Sequence, residues 1–252
     1  MKTILITGGS SGIGEALAHH YAGAGVTLGL IGRDAGRLEG VAAACRAKGA
    51  KVEIQALDVA DRGGMQSWIE GFDEAYKVDL VIANAGVGGG GGCAPTAENL
   101  EAARRMFAVN IDGVLNTIDP LLPRMAQRGR GQVALMASLA GFRGLAGAPA
   151  YAASKGFVKL YGEGLRGAMA PHGIDVSVIC PGFVDSRLTL SNDFPMPFFM
   201  AARKAAEIIA KGLQKNRARI AFPWPMVFGV WLFSALPACV SDWIARKLPK
   251  KN

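Results

Sequence analysis

Seven short apolar runs alternate with helix-like segments along almost the whole of this chain, and that alternation restricts the fold more than any other feature. The runs, 2–7, 26–31, 52–57, 79–83, 132–137, 174–180 and 218–222, are apolar at successive positions rather than at every second one. A strand that is apolar on both faces must be covered on both faces. The segments 14–21, 37–48, 65–76, 98–122, 151–170 and 201–213 read as helices, with stops such as Gly49 and Pro171 behind them. Strands joined through helices pair in parallel, and right-handed crossovers set all strand carboxyl ends along one edge. The expected architecture is therefore α/β, a three-layer, doubly wound parallel sheet of mostly seven strands that binds ligands at that edge.

With 252 residues, half of them hydrophobic, the chain can bury a large core without staples. One domain over residues 1–222 is expected, followed by an apolar and basic extension, 223–252. Cys45, Cys93, Cys180 and Cys239 are isolated, and only three histidines occur, which excludes a zinc cluster and a disulfide scaffold. No metal is expected. The first apolar run turns polar at Thr7, too soon for a signal-peptide core, so a cytoplasmic protein is expected. The net charge of +8 is unevenly placed: residues 1–200 hold 18 basic and 18 acidic residues, and residues 201–252 hold 10 and 2. That excess flanks the most apolar stretch of the chain, which argues against a nucleic-acid surface.

The turn after the first run reads Thr7-Gly8-Gly9-Ser10-Ser11-Gly12-Ile13-Gly14. Glycines at 8, 12 and 14 let the backbone turn tightly and approach a pyrophosphate at a helix N-terminus, where free N–H groups point outward. Standing alone, such glycines often serve packing only. The second run ends Leu30-Ile31-Gly32-Arg33-Asp34. An acidic residue at this place would bind the ribose 2′-hydroxyl of NAD. Here Gly32 leaves space and Arg33 offers a guanidinium to a 2′-phosphate, which favours NADP(H) over NAD(H). Asp34 lies next to it and can pair with Arg37. Further along, Tyr151 and Lys155 share one helix face and Ser138 ends a strand. Shifting a phenol from its usual pKa to near ~7 takes about 4 kcal/mol of preference for the phenolate, which a neighbouring ammonium and an oxidised nicotinamide would supply.

Taken together these residues resemble the short-chain dehydrogenase/reductase family. The resemblance covers residues 3 to about 190 in the family's order: Thr7-Gly8 to Gly14, Asp58-Val59, Asn84-Ala85-Gly86, Asn110, Ser138, Tyr151 to Lys155 and Pro181-Gly182. It implies a Rossmann fold, a nicotinamide cofactor and a homodimer or homotetramer. It also implies roles. Ser138 would hydrogen-bond the substrate carbonyl, and Tyr151 would act as general acid in reduction and base in oxidation. Lys155 would bind the nicotinamide ribose and lower the Tyr151 pKa, and Asn110 would hold a water that continues a proton relay. Gly8, Ser10, Ser11, Gly12, Ile13 and Gly14 would cradle the phosphates. Asp58 and Val59 would meet the adenine, with Asn84, Ala85 and Gly86 on the adenosine side. Pro181, Gly182 and Val184 would line the carboxamide, with Ser186 where the family usually has threonine.

Residues 183–200 correspond to the family's substrate lid, and Phe194, Phe198, Phe199 and the nearby methionines are expected to line a flexible apolar pocket or to pack the lid on the core. Residues 220–240 carry no charge, but Pro223, Pro225 and Pro237 leave only 226–236 as unbroken helix, too short to span a membrane. Trp224, Trp231 and Trp243, with Arg217, Arg219, Arg246, Lys247, Lys250 and Lys251 on either side, suit peripheral contact with the inner face of a membrane. A subunit contact or a substrate-pocket wall would account for the same segment. Three functions follow: an NADPH-dependent reductase of a lipophilic ketone, an NAD(P)-dependent alcohol or hydroxysteroid dehydrogenase working oxidatively, and a non-catalytic nucleotide-sensing or membrane-scaffold protein.

Overall fold

A computed structural model describes residues 2–88, 99–190, 195–237 and 239–241. The first half runs β1 (Thr3–Thr7), α1 (Gly12–Tyr21), β2 (Thr27–Gly32), α2 (Ala35–Arg46), β3 (Lys51–Ala56), α3 (Arg62–Tyr76), β4 (Leu80–Ala83), α4 (Leu100–Phe107), α5 (Gly113–Ile118) and α6 (Leu122–Arg128). The second half runs β5 (Gly131–Met136), α7 (Pro149–Met169), β6 (Ile174–Pro181), the single turn α8 (Arg187–Leu190), α9 (Ala202–Gln214), β7 (Arg219–Phe222) and α10 (Trp224–Ala235). The strands form one parallel sheet in the order β3-β2-β1-β4-β5-β6-β7. This is a doubly wound Rossmann fold, and the winding reverses between β1 and β4, where a crevice opens above the carboxyl ends.

The two-sided apolar runs are explained by which core each residue enters. Ile4, Ile6, Leu28, Leu30, Leu80 and Ile82 pack with α1, α2 and α9. Their neighbours Leu5, Ile31, Val81, Val133 and Leu135 pack on the opposite face with α3, α5 and α7. Full burial of each such side chain stabilises the fold by about 1.5–3 kcal/mol. The starts of α2 and α3 are fixed by side-chain caps. Asp34 accepts the Arg37 N–H at 2.9 Å to begin α2, and Asp61 accepts the Gly64 N–H at 3.1 Å to begin α3.

Several helix boundaries differ from the sequence expectation, and two of them change the layout of the chain. The segment 98–122 is not one helix; Glu98 lies outside the described residues, and α4 gives way to a wide π-type turn over Ala108–Asp112. The extra residue in that turn carries Asn110 inward, where it is fully buried. After α5 the chain breaks, and Pro123 sits in the first turn of α6, where its missing N–H has no helical partner to lose. The same reason lets α10 begin at Trp224 with Pro225 in its first turn, two residues before the expected start. The glycine stretch 89–92 with Cys93, the lid residue Phe194 and the tail 242–252, including Trp243 and the four cations that follow it, lie outside the described residues.

Asp73 of α3 is fully buried and accepts both guanidinium nitrogens of Arg128, at 2.7 and 2.9 Å, and the Val78 N–H at 2.9 Å. It ties α3 and α6 to the start of β4. Beyond β6, the ends of the 183–200 segment are joined: the Met200 N–H donates to Phe183 O at 3.0 Å and the Asp185 N–H to Met200 O at 2.8 Å.

Candidate active site

The floor of the crevice is the turn after β1. Gly8 and Gly12 adopt left-handed backbone, φ +68° and +57°, which a side chain would strain. A Cβ at Gly14 would lie 2.2 Å from the Gly8 carbonyl oxygen, so only glycine lets α1 start this close beneath the turn. Asn84 braces the turn from β4, its Nδ2 donating to Thr7 O at 2.9 Å and Gly8 O at 3.3 Å. The Thr7 hydroxyl in return accepts the Asn84 and Ala85 N–H groups, each at 3.1 Å. Ser11 precedes α1 in extended conformation and makes no side-chain cap, which leaves the first-turn N–H groups of a ten-residue helix without a side-chain partner there. Unspent N–H groups at a helix start attract phosphate.

A cleft of about 540 Å³ runs from this turn to the end of β6. Every residue expected to bind a dinucleotide lines it except Gly14, which packs below the turn. Ser138, Tyr151 and Lys155 line it as well, whereas Asn110 does not. The cleft also includes residues that sequence reasoning left out, among them Arg37, Leu57, Val87, Met136, Leu188 and Thr189. Arg37 was visible as a second cation one turn beyond Arg33; Leu188 and Thr189 lie in the expected lid segment but were not singled out within it. The expected lid aromatics fall elsewhere. Phe198 and Phe199 are 57% and 47% exposed and do not line the cleft, and Leu188 closes against Gly88 instead. Ser186 is held by Thr189, whose hydroxyl accepts the Ser186 N–H at 3.0 Å and donates to Val184 O at 2.7 Å.

Around Ser138 the strand ends of β5 and β6 meet the start of α7. The Ser138 Oγ accepts the Ala140 N–H at 3.1 Å and hydrogen-bonds the Tyr151 phenol. One turn on, the Lys155 Nζ donates to Met136 O at 2.9 Å and lies 6.0 Å from the centre of the Tyr151 ring. Asn110 sets the rear wall. Its Nδ2 donates to Val87 O and Ser154 Oγ, both at 3.0 Å, and its Oδ1 accepts the Val87 N–H at 2.8 Å. The π-type turn thus fastens the chain after β4 to α7.

Burial pushes the Tyr151 phenol above its ordinary pKa, with the Ser138 hydrogen bond acting against it. Burial also lowers the Lys155 ammonium to about 8, with Cys180 opposing. The chain alone therefore holds a protonated phenol beside a lysine that loses its charge unusually early.

At the adenosine end, Asp34 is consumed by the start of α2: one oxygen caps it and the other pairs with the Arg37 guanidinium at 3.0 Å. Arg33 is exposed, lines the cleft and has no ion-pair partner among the described residues. A Cβ on Gly32 would approach Ser10 Oγ to 3.1 Å, so glycine keeps that corner open. The open glycine turn, the helix start and the cation at the end of β2 fit a nicotinamide dinucleotide. Among the described residues no three histidine, cysteine, aspartate or glutamate side chains gather to hold a metal ion.

Comparison with known proteins agrees with this geometry. A family model described as short chain dehydrogenase matches residues 2–193. An uncharacterised oxidoreductase of Myxococcus xanthus is 40% identical over 250 residues, 98% of this chain and 97% of that protein. One from Mycobacterium tuberculosis is 33% identical over 92% of this chain and 93% of its own length. Among solved structures, a short-chain dehydrogenase from Sphingobium yanoikuyae in complex with NADPH superposes with a TM-score of 0.81 at 26% identity, covering 94% of this chain and 97% of that one.

Proposed function

The chain belongs to the short-chain dehydrogenase/reductase family and is an NAD(P)-dependent oxidoreductase, and from that premise we propose that it reduces a lipophilic ketone to an alcohol with NADPH. The observation that carries the reading is the meeting of Ser138, Tyr151 and Lys155 in one cleft with the glycine turn. The nicotinamide, when bound, supplies the hydride. The chain's own residues supply position and the proton. In this reading the helix start at Gly12 and Ile13 receives the pyrophosphate, while Asp58 and Val59 face the adenine and Pro181, Gly182 and Val184 the carboxamide. Ser138 donates to the substrate oxygen as negative charge grows on it, and Tyr151 passes its phenolic proton to the same oxygen. Lys155 brings a positive charge one helical turn away, where it favours the phenolate left behind. Asn110 fixes the wall behind Lys155 and stands at the head of the proton relay.

Support for reduction comes from the buried phenol, which stays protonated at neutral pH and is a donor before it is a base. Support for NADPH comes from Arg33 together with the engagement of Asp34 by Arg37. A lipophilic substrate suits walls that include Val87, Met136 and Leu188. Such a substrate also gives the apolar 220–252 segment a reason to touch membrane. A homodimer or homotetramer belongs to the same proposal.

Tyr151→Phe tests it. Reduction of a ketone panel of rising chain length should fall by about 100-fold or more, the usual worth of a positioned general acid. NADPH binding, followed by its fluorescence, should change only a few-fold. Undiminished turnover would show that another group donates the proton.

A further inference from the structure

α10 is apolar on every side, and one side is already taken. Met226, Val227 and Val230 pack onto the sheet core, and Met226 reaches Gly182 in the cleft. Arg143 fastens the far end: its guanidinium donates to the carbonyls of Ser234 at 3.3 Å and Leu236 at 3.1 Å, hydrogen-bonds Ser241 and lies over the Phe233 ring. With the inner face fixed, Trp224, Phe228, Trp231 and Leu232 point outward and are 49–79% exposed. No charged or polar stripe relieves that outward face.

We propose that the outward face of α10 seats the protein on an anionic lipid surface, lying in its plane. The helix has 12 residues, about 18 Å at 1.5 Å each, against roughly 30 Å of bilayer core. Among the described residues no helix is long and apolar enough to cross a membrane. Three of the four tryptophans of the chain fall between positions 224 and 243, and indoles collect where hydrocarbon meets headgroup.

Charge selects this occupant over a second copy of the chain. The first 200 residues are neutral in sum, and the last 52 hold 10 basic residues against 2 acidic ones. A two-fold interface would set this segment against itself and bring the two excesses together. An anionic leaflet complements the same excess. Arg217 lies just before β7, and Arg246, Lys247, Lys250 and Lys251 follow α10 in sequence. The further consequence rests on the reductase reading: since Met226 packs against Gly182, which lines the cleft, α10 sets the lipid surface next to the cleft's β6 end, and an apolar ketone would reach Tyr151 from that side.

Flotation of the full chain with vesicles separates the outcomes. Phosphatidylcholine vesicles with one quarter phosphatidylglycerol should carry about fivefold more protein than pure phosphatidylcholine, with the difference shrinking in molar salt. Phe228→Glu/Trp231→Glu, both outward-facing, should abolish flotation while NADPH binding persists. Should that pair fail to bind NADPH, Trp231→Ser carries the same comparison. Wild-type protein that stays in the dense fractions, or a variant that floats equally, overturns the proposal. So does a variant whose mass by light scattering drops to half that of the wild type, because a second copy then covers the face. Normal flotation in a protein that binds no NADPH would remove the reductase reading and leave this one standing.

Discussion

In the proposed reading Arg33 selects NADPH, because its acidic neighbour is spent. Asp34 would compete for a ribose hydroxyl, but its oxygens hold the Arg37 N–H and guanidinium. Arg33→Ala should therefore weaken NADPH by about 10- to 100-fold, the worth of one charge-assisted hydrogen bond, and leave NADH within a few-fold. Equal losses for both cofactors, measured by fluorescence titration, would take the 2′-phosphate away from Arg33. The position of Arg33 was legible in the sequence, since the end of the second strand is fixed by the apolar run before it. The pairing of Asp34 with Arg37 was legible too, but its role as a cap was not, because that depends on where α2 starts, at Ala35 instead of Arg37.

At the level of elements, the strands were legible to within a residue or two. Burial on both faces leaves an unbroken apolar run that no amphipathic helix imitates. What escaped was set by side chains distant in sequence. Asn110 reaches Val87 and Ser154, and those contacts, 23 and 44 positions away, go with a π-type turn inside what reads as one helix. The lid is a similar case: its aromatic residues left pocket lining and packing on the core both open, and the Val184–Met200 pairing goes with Leu188 at the cleft and Phe198 and Phe199 outside it. Asp73 and Arg128 form another such contact, 55 positions apart. Arg128→Met would strand a fully buried carboxylate and should cost about 3 kcal/mol in urea unfolding. A loss under about 1 kcal/mol would mean that Arg124, already 3.8 Å from Asp73, takes over.

The stability of the whole molecule should register Lys155, which is 3% exposed and titrates at about 8 instead of 10.5. Between those values the unfolded chain holds a proton that the native chain has released, so stability rises with pH. Against Lys155→Met, the wild type should gain about 2 kcal/mol from about pH 8 to 9.5. Parallel curves in urea titrations would place the ammonium in contact with water. Tyr151 acts oppositely, since its raised phenol keeps a proton that the unfolded chain loses above pH 10, and so limits the window from above. The uneven charge was equally plain in the sequence; the direction in which α10 faces was not, because Arg143 sets it from more than 90 positions away. That guanidinium stands five residues past Ser138. A purification handle fused behind Asn252 should therefore disturb the reaction more than its size suggests, because it follows the segment that Arg143 clasps. One joined ahead of β1 leaves from the sheet's opposite rim, where it has no such leverage on the reaction.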